Sequence, residues 1–453
     1  MYYYLMYILG RIRKKYMNQI PEDKNQYKKS RIAFTIDGAT AAVIVTLVSG
    51  TFLSGYLQYI GVSTNMNGII SAIPPLVAMS QPLGAAFAQK YKKRKPLVTS
   101  GAILHRGLFT LMFFIPFFIE NVTARVVTIT LMFSLAHCIG SFISPAASNW
   151  LISLTPQRLR GKYFSIREFY TLILTSVLML SSGYMLDKFV ASNHHGTGFA
   201  MIGVIVGIMA LFNFISLMQV MEPESAEQTT KGEGLGKTIK MVLTEKSFRP
   251  VLIMNIIYNV GINIGVPYHS IYLISTLKLS YTLISIVGFM SIIIKAITVR
   301  RWGRIADKTS WAHVCKLTIG IIGMMHLVNF FLVPSTGRWM YPLNGLISNF
   351  GWSAIGIAIF NVQYDYAPLK GRTMYIGVCA AVTGVLGFSA VFISSWIIGM
   401  AERHALTIFG HAVHGQQIAM LLSGTVLLLD CLYIHNVLEK SKKIINNKEG
   451  KPI

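Results

Sequence analysis

The chain has 453 residues, 53% of them hydrophobic and 13% charged, with a formal net charge of +24. A soluble domain carries about 25% charged residues, so this composition excludes a soluble protein of this size and points to a multi-span membrane protein. No basic-aromatic binding module accompanies the positive charge, which argues against nucleic acid, and four cysteines without a CxxC pair argue against a zinc site or a disulfide framework.

Residues 1–31 form a basic lead-in without a small-residue cleavage site, so they read as a tail and not as a cleaved signal. A bilayer core about 30 Å thick needs about 20 helical residues. The first such run, 32–58, carries Asp37 followed by Thr40. The second, 66–88, ends at the basic cluster KYKKRK. The third, 97–119, holds His105 and Arg106, with Arg106 near mid-bilayer by helical rise. The fourth, 124–151, carries a stripe of His137, Ser141, Ser144 and Ser148, followed by Asn149. The fifth, 163–186, begins with Arg167 and Glu168, and the sixth covers 199–221.

A polar stretch, 222–247, reads as a linker. The seventh run, 248–276, places Asn255, Asn259 and Asn263 on one helical face, with Tyr258, Pro267 and His269 nearby. The eighth, 281–302, ends in W-G-R-I-A-D-K-T-S-W, residues 302–311. The ninth, 313–333, precedes the tenth, 340–364, which offers Asn344, Ser348, Asn349 and Trp352. The eleventh, 373–400, is rich in small residues, among them Gly377, Gly384 and Gly387, which read as close packing. The twelfth, 415–437, holds Asp430 and is followed by a basic tail, 439–453.

Lysine and arginine test this count. Only Arg125, Lys188, Lys278, Arg338 and Arg403 fall on one set of loops. Arg106, Arg167, Lys295 and Lys316 fall inside runs, the last two near enough to the ends to snorkel. The rest of the 41 lie on the other side with both tails. The positive-inside rule makes that side cytoplasmic. The expected fold is an all-α membrane protein of twelve transmembrane helices in two pseudo-symmetric six-helix bundles, 32–221 and 248–438.

Two sequence echoes support the duplication. Phe87-Ala88-Gln89-Lys90 matches Ile305-Ala306-Asp307-Lys308, 218 positions on. Asn149 and Pro156 match Asn361 and Pro368, 212 positions on, and each pair is followed by a basic tripeptide, Arg160-Gly161-Lys162 and Lys370-Gly371-Arg372. Gly303 reads as a close approach of helices, and Asp307 with Arg304 and Lys308 as a charge latch that forms in one conformer and breaks in the other, or as a solvated loop.

This pattern resembles the major facilitator superfamily of secondary transporters over about residues 32–438. The match is best at Gly303-Arg304-Ile305-Ala306-Asp307-Lys308; the first copy departs from it, with Gln89 in place of the acid. The resemblance implies that spans 1, 4, 7 and 10 line a central cavity, and those four carry the polar stripes. It also implies gating by Gly303, Arg304, Asp307, Lys308, Arg160 and Arg372. Candidate solute contacts are Asp37, Arg106, His137, Ser141, Asn255, Tyr258, Asn259, Asn263, Asn344 and Trp352. The competing reading of the asparagine and serine stripes is interhelical hydrogen-bond glue.

For energy coupling the candidates are Asp37 and Glu168. Asp37 is either a proton or cation carrier or the fixed partner of Arg106 or Arg167. The expectation is a monomeric, cell-membrane secondary transporter of a small solute, driven by a proton or sodium gradient. No cofactor, metal or catalytic residue is expected, and there is no Walker motif. The rivals are a transport-inactive receptor on the same fold and an integral-membrane transferase.

Overall fold

A computed structural model describes residues 27–88, 93–155, 157–222, 235–368, 372–404, 407–408 and 411–440. Spans are numbered here in chain order. Span 1 is Lys28–Leu47 continued by Gly50–Tyr59. The break falls at Val48 and Ser49, where Gly50 takes φ +54°, a left-handed conformation that glycine accepts without cost to a Cβ. Span 2 is in pieces, Thr64–Ser71, Ile73–Val77, a 3-10 turn Ala78–Ser80, and Gln81–Ala88. Pro74, Pro75 and Pro82 explain this, since each removes a backbone donor and crowds the preceding turn.

Span 3 is Lys95–Met112, span 4 Val122–Ser153, span 5 Gln157–Ala191 and span 6 His195–Met218. The second half has span 7 (Arg249–Ser275), span 8 (Tyr281–Lys308), span 9 (Trp311–Asn329) and span 10 (Gly337–Trp352 with Ile355–Tyr366). Span 11 is Arg372–His404, and span 12 is Gly415–Tyr433 running into a π-helical turn, Ile434–Glu439. Eleven of these spans are long and apolar enough to cross a membrane. Lys95–Met112 falls short because Lys95, His105 and Arg106 lower its hydropathy. Thr407–Ile408 and His411–Ala412 add a two-residue antiparallel pair between spans 11 and 12.

Two sets of buried side chains separate the halves. One joins Leu47, Phe52, Tyr56, Phe109, Phe133 and Phe199, and the other Phe248, Met254, Ile319, Val362 and Leu427. A helix in the linker, Leu235–Thr244, packs through Val242 into the second set, so this part of the linker is structured and belongs with the second half. At one end of each bundle lie Lys95, the linker helix and Lys308; this is called the basic end, and its opposite the far end. There spans 3 and 6 cap each other. Glu222 Oε1 accepts from the amides of Arg94 and Lys95, and Lys95 Nζ donates to the carbonyls of Met218 and Val220 at 2.7 and 2.9 Å. Each charge thereby meets the helix terminus of opposite polarity.

Candidate functional site

In the first half, Asp37 lies in a buried charge cluster. Arg106 Nη2 stands 3.4 Å from Asp37 Oδ1. Asn213 of span 6, itself fully buried, donates through Nδ2 to Asp37 Oδ1 at 2.8 Å, to the Asp37 carbonyl at 3.0 Å and to Thr40 Oγ1 at 3.1 Å. Arg167 approaches from span 5: its Nε donates to the Phe34 carbonyl at 3.3 Å, and its guanidinium lies where a Cβ on Gly38 would stand. Of the two partners the sequence offers for Asp37, the structure therefore brings Arg106 into the ion pair. Arg106 Nη1 and Asn213 Oδ1 are buried without a hydrogen-bond partner among the described residues. Asn213 belongs to this cluster and escaped the sequence reading, because a single asparagine in an apolar run shows no stripe.

His137 sits in an aromatic cage, its ring centroid 4.5 Å from Phe133, 4.9 Å from Phe109 and 6.5 Å from His105. Its Nε2 is buried and unpartnered. Ser141 is half-buried, while Ser144, Ser148 and Asn149 are exposed toward the basic end of span 4.

The asparagines of span 7 share a face but turn inward on their own helix. Each Nδ2 donates at 2.8 Å to the carbonyl four residues earlier: Asn255 to Val251, Asn259 to Asn255, and Asn263 to Asn259. Asn255 Oδ1 also accepts from Gln363 of span 10 at 2.9 Å, which ties spans 7 and 10 together. A Cβ on Gly387 of span 11 would come within 2.8 Å of Asn263 Nδ2, so span 11 packs directly on the stripe. Tyr258 packs against the second-half core, and Trp352 is 39% exposed at the break in span 10. Asn344 is buried and donates to Asn329 Oδ1 at 2.5 Å and to the Met325 carbonyl at 3.2 Å, facing span 9. His326 and Ser423 form a further buried pair at 2.8 Å, with Ser423 donating to the Gly261 carbonyl at 2.6 Å. Because a hydroxyl has one proton, His326 Nδ1 is the donor to Ser423. Among the described residues, no hydrogen bond or ion pair links the Asp37 cluster to the asparagine stripe.

The halves meet most closely toward the far end. Asp187, near the end of span 5, accepts from the Tyr281 and Thr282 amides at 2.8 Å each and from Thr282 Oγ1 at 2.5 Å. A carboxylate thus caps the N-terminus of span 8, where unpaired N–H groups and the helix dipole favour an anion. The Tyr281 ring stacks on Phe52 at 5.9 Å, and its hydroxyl fills the space of an absent Cβ at Gly55. Tyr268 fills the same space at Gly68. Ala72, Tyr268, Val391 and Ile398 form an apolar cluster shared by spans 2, 7 and 11. Nothing local in the sequence marks Asp187, whose partners lie more than ninety residues on.

At the basic end, Glu168 pairs with Lys295 at 3.2 Å between spans 5 and 8, both half-exposed, and such exposed bridges contribute about 0–1 kcal/mol. Arg304, Asp307 and Lys308 are exposed, and none has a side-chain bond to a described residue. A Cβ on Gly303 or on Gly377 would meet nothing within 4 Å, so neither glycine serves a close approach here, unlike Gly384 and Gly387. Lys316 has a protein partner. It and His313 bond to Glu439 at 2.7 Å, joined by His435 at 2.8 Å. Gln89, Lys90, Lys92, the basic tails and the side chains of Arg160 and Arg372 lie outside the described residues.

Gly384 offers a direct test of the seam. A Cβ there would overlap the carbonyl oxygen of Pro75 in span 2, and a backbone atom has no rotamer to escape into. Gly384→Ala is expected to cost about 1–3 kcal/mol in this arrangement, read as a lower melting temperature or a wider separation of labels placed across the far end. An unchanged protein would mean that the seam is not held this tightly.

Solved structures share this architecture at low identity. A mutant of the nucleoside transporter NupG is 13% identical, with a TM-score of 0.69, covering 90% of this chain and 99% of its own. A D-xylose–proton symporter is 15% identical, with a TM-score of 0.67, covering 91% and 98%. The POT family transporter PepTSo is 9% identical, with a TM-score of 0.68, covering 90% and 97%. No curated protein matches the sequence. The family model described as Major Facilitator Superfamily matches residues 35–400, and with twelve helices in two bundles the chain belongs to that family of multi-pass membrane proteins.

Proposed function

We propose that the protein is a secondary active transporter in the cell membrane, with the basic end and both tails on the cytoplasmic side. It moves a small polar solute by alternating access. The observation that carries this reading is the asymmetry of the seam. Toward the far end the halves are joined by the Asp187 cap, the Tyr281–Phe52 stack and the Tyr268 contact, whereas among the described residues the half-exposed Glu168–Lys295 pair is the ion pair that joins them further toward the basic end. Halves that are joined more firmly on one side than on the other, among the described residues, suit a protein that presents a site to one compartment at a time. The positive-inside bias supplies the orientation.

Proposed solute contacts are Asn259 and Asn263, whose amide oxygens accept no bond from described residues, with Tyr258 and Trp352. Coupling to a proton or cation gradient is assigned to Asp37. Its 3.4 Å contact with Arg106 is longer than the 2.7–2.9 Å usual for a charge-assisted bond, which leaves room for tightening in another conformer. Asp307 with Arg304 and Lys308 is proposed as the cytoplasmic latch, unbonded to described residues in this state.

The test is an uptake screen of sugars, nucleosides and zwitterions into proteoliposomes, with and without a pH or sodium gradient. Gradient-dependent accumulation of one class is expected, and Asp37→Asn should reduce it at least tenfold. Driven uptake that survives in this variant would remove Asp37 from coupling. No uptake of any solute under any gradient would favour a transport-inactive member of the family.

A further inference from the structure

The duplication allows the two halves to be compared layer by layer. Asn255 lies 218 positions after Asp37, and Asp430 lies 217 positions after Asn213. Spans 1 and 6 pack together in the first half as spans 7 and 12 do in the second. Each half therefore carries one acid and one amide in equivalent layers, with the acid on opposite members. The third participant is not repeated. The position 218 residues after Arg106 is Met324, so the second-half acid has no arginine at the equivalent place and, among the described residues, pairs with no guanidinium.

The surroundings of Asp430 reflect that loss. The residue is wholly buried, 0% exposed, and both carboxyl oxygens lack a hydrogen-bond partner among the described residues. Asn255, its counterpart on span 7 of the same half, gives an amide hydrogen to Val251 instead. The titratable groups that feel its charge are Tyr258 of span 7, Cys315 of span 9, and Cys431 and Tyr433 of its own span, none of them cationic. The bases of span 9 are engaged elsewhere, Lys316 and His313 with Glu439 and His326 with Ser423. Arg249 and His269 of span 7 make no bond to it, and Arg403 stands at the distant end of span 11. On span 11, Cys379 takes a contact from Gln363. Burying an isolated ionised carboxylate costs several kcal/mol or more. A carboxyl in this packing must carry its proton or acquire water.

The backbone beside it provides a means of change. The π-helical turn Ile434–Glu439 begins four residues later, and the Ile434 amide, which closes the preceding α-helix, bonds back to the Asp430 carbonyl. Such turns hold a wider, weaker hydrogen-bond ladder than an α-helix and recur at functional sites.

We infer that Asp430 is a proton-binding site of the second half. It holds the O–H bond while spans 7, 9 and 12 are packed as here. When that packing loosens and water enters, the O–H bond breaks, the proton passes to water and the carboxylate remains. This rests on the gradient-coupled reading above and deepens it by naming the coupling ion as a proton.

The test is infrared spectroscopy of the full-length protein in lipid, comparing wild type with Asp430→Asn, which matches the neutral acid in shape. At neutral pH the wild type is expected to show a protonated-carboxyl stretch that the variant lacks and that exchanges slowly in D2O. It should disappear as the pH is raised. Superimposable carboxyl regions would overturn the proposal. If the variant does not fold, wild type carrying carboxyl-13C aspartate decides the matter, because the slowly exchanging band must then shift with the label. An absent or unshifted band is again fatal. The readout does not depend on transport, so failure of uptake with this band intact would count against the transporter reading and leave the site standing.

Discussion

Replacing Arg106 by alanine will destabilise the first half by about 3–5 kcal/mol, the cost of leaving a buried carboxylate without its cation. The two side chains of the pair are 12% and 13% exposed, so water offers Asp37 little compensation. Asn213 continues to donate to Asp37 but brings no charge. The same chain carrying Asp37→Asn as well should recover most of the loss, because asparagine keeps an oxygen for Asn213 and has no charge to strand. Thermal melting of the two single variants and the double variant closes the cycle and isolates the pair. A loss below about 1 kcal/mol for the arginine variant would place this contact among exposed bridges of little consequence.

Replacing Asp187 by alanine is expected to shift the conformational balance by about 3 kcal/mol, roughly a hundredfold, toward opening at the far end. Hydrogen bonds to a charged group contribute about 1.5–3 kcal/mol each and do not add fully, since water can reach the freed amides once the cap is gone. All three bonds cross between the halves, so their loss acts on the opening and not on the folding of either bundle. Spin labels at Ser192 and Arg403, one on each half, should report a longer distance population in the variant. Asp187→Asn, which keeps one acceptor oxygen, should fall between. An unchanged distance distribution with an intact melting temperature would mean that the apolar contacts around Tyr268 and Tyr281 hold this side closed by themselves.

The helices were legible because an apolar run of bilayer length has few alternatives and the basic residues alternate with it. The interior was harder, because rotation about each helix axis decides which polar groups meet. Asp37 was open to two arginines by spacing, and only the packing of spans 1 and 3 on a common neighbour, span 6, selects Arg106. The asparagine stripe was correctly placed on one face, yet composition does not reveal that each amide would bond to its own helix. Asparagine can satisfy itself locally, and this local bond is open to it wherever a neighbouring helix offers no better partner. Lys316 looked like a residue reaching for headgroups, but its partner Glu439 lies 123 residues away at the end of span 12. Asp187 was invisible for a related reason. What it binds is a helix start, mainly backbone amides that have no letter in the sequence.

The segmentation of span 2 has a mechanical consequence. Spans 5 and 11 run unbroken for 35 and 33 residues and behave as stiff rods. Span 2, cut by three prolines into pieces of 3 to 8 residues, has joints where the hydrogen-bond ladder is interrupted. Bending strain concentrates at such joints. Its amides near Ala72–Ser80 should trade hydrogen for deuterium sooner than those of spans 5 and 11, and the element lying against Gly384 and Tyr268 becomes the most compliant part of the frame.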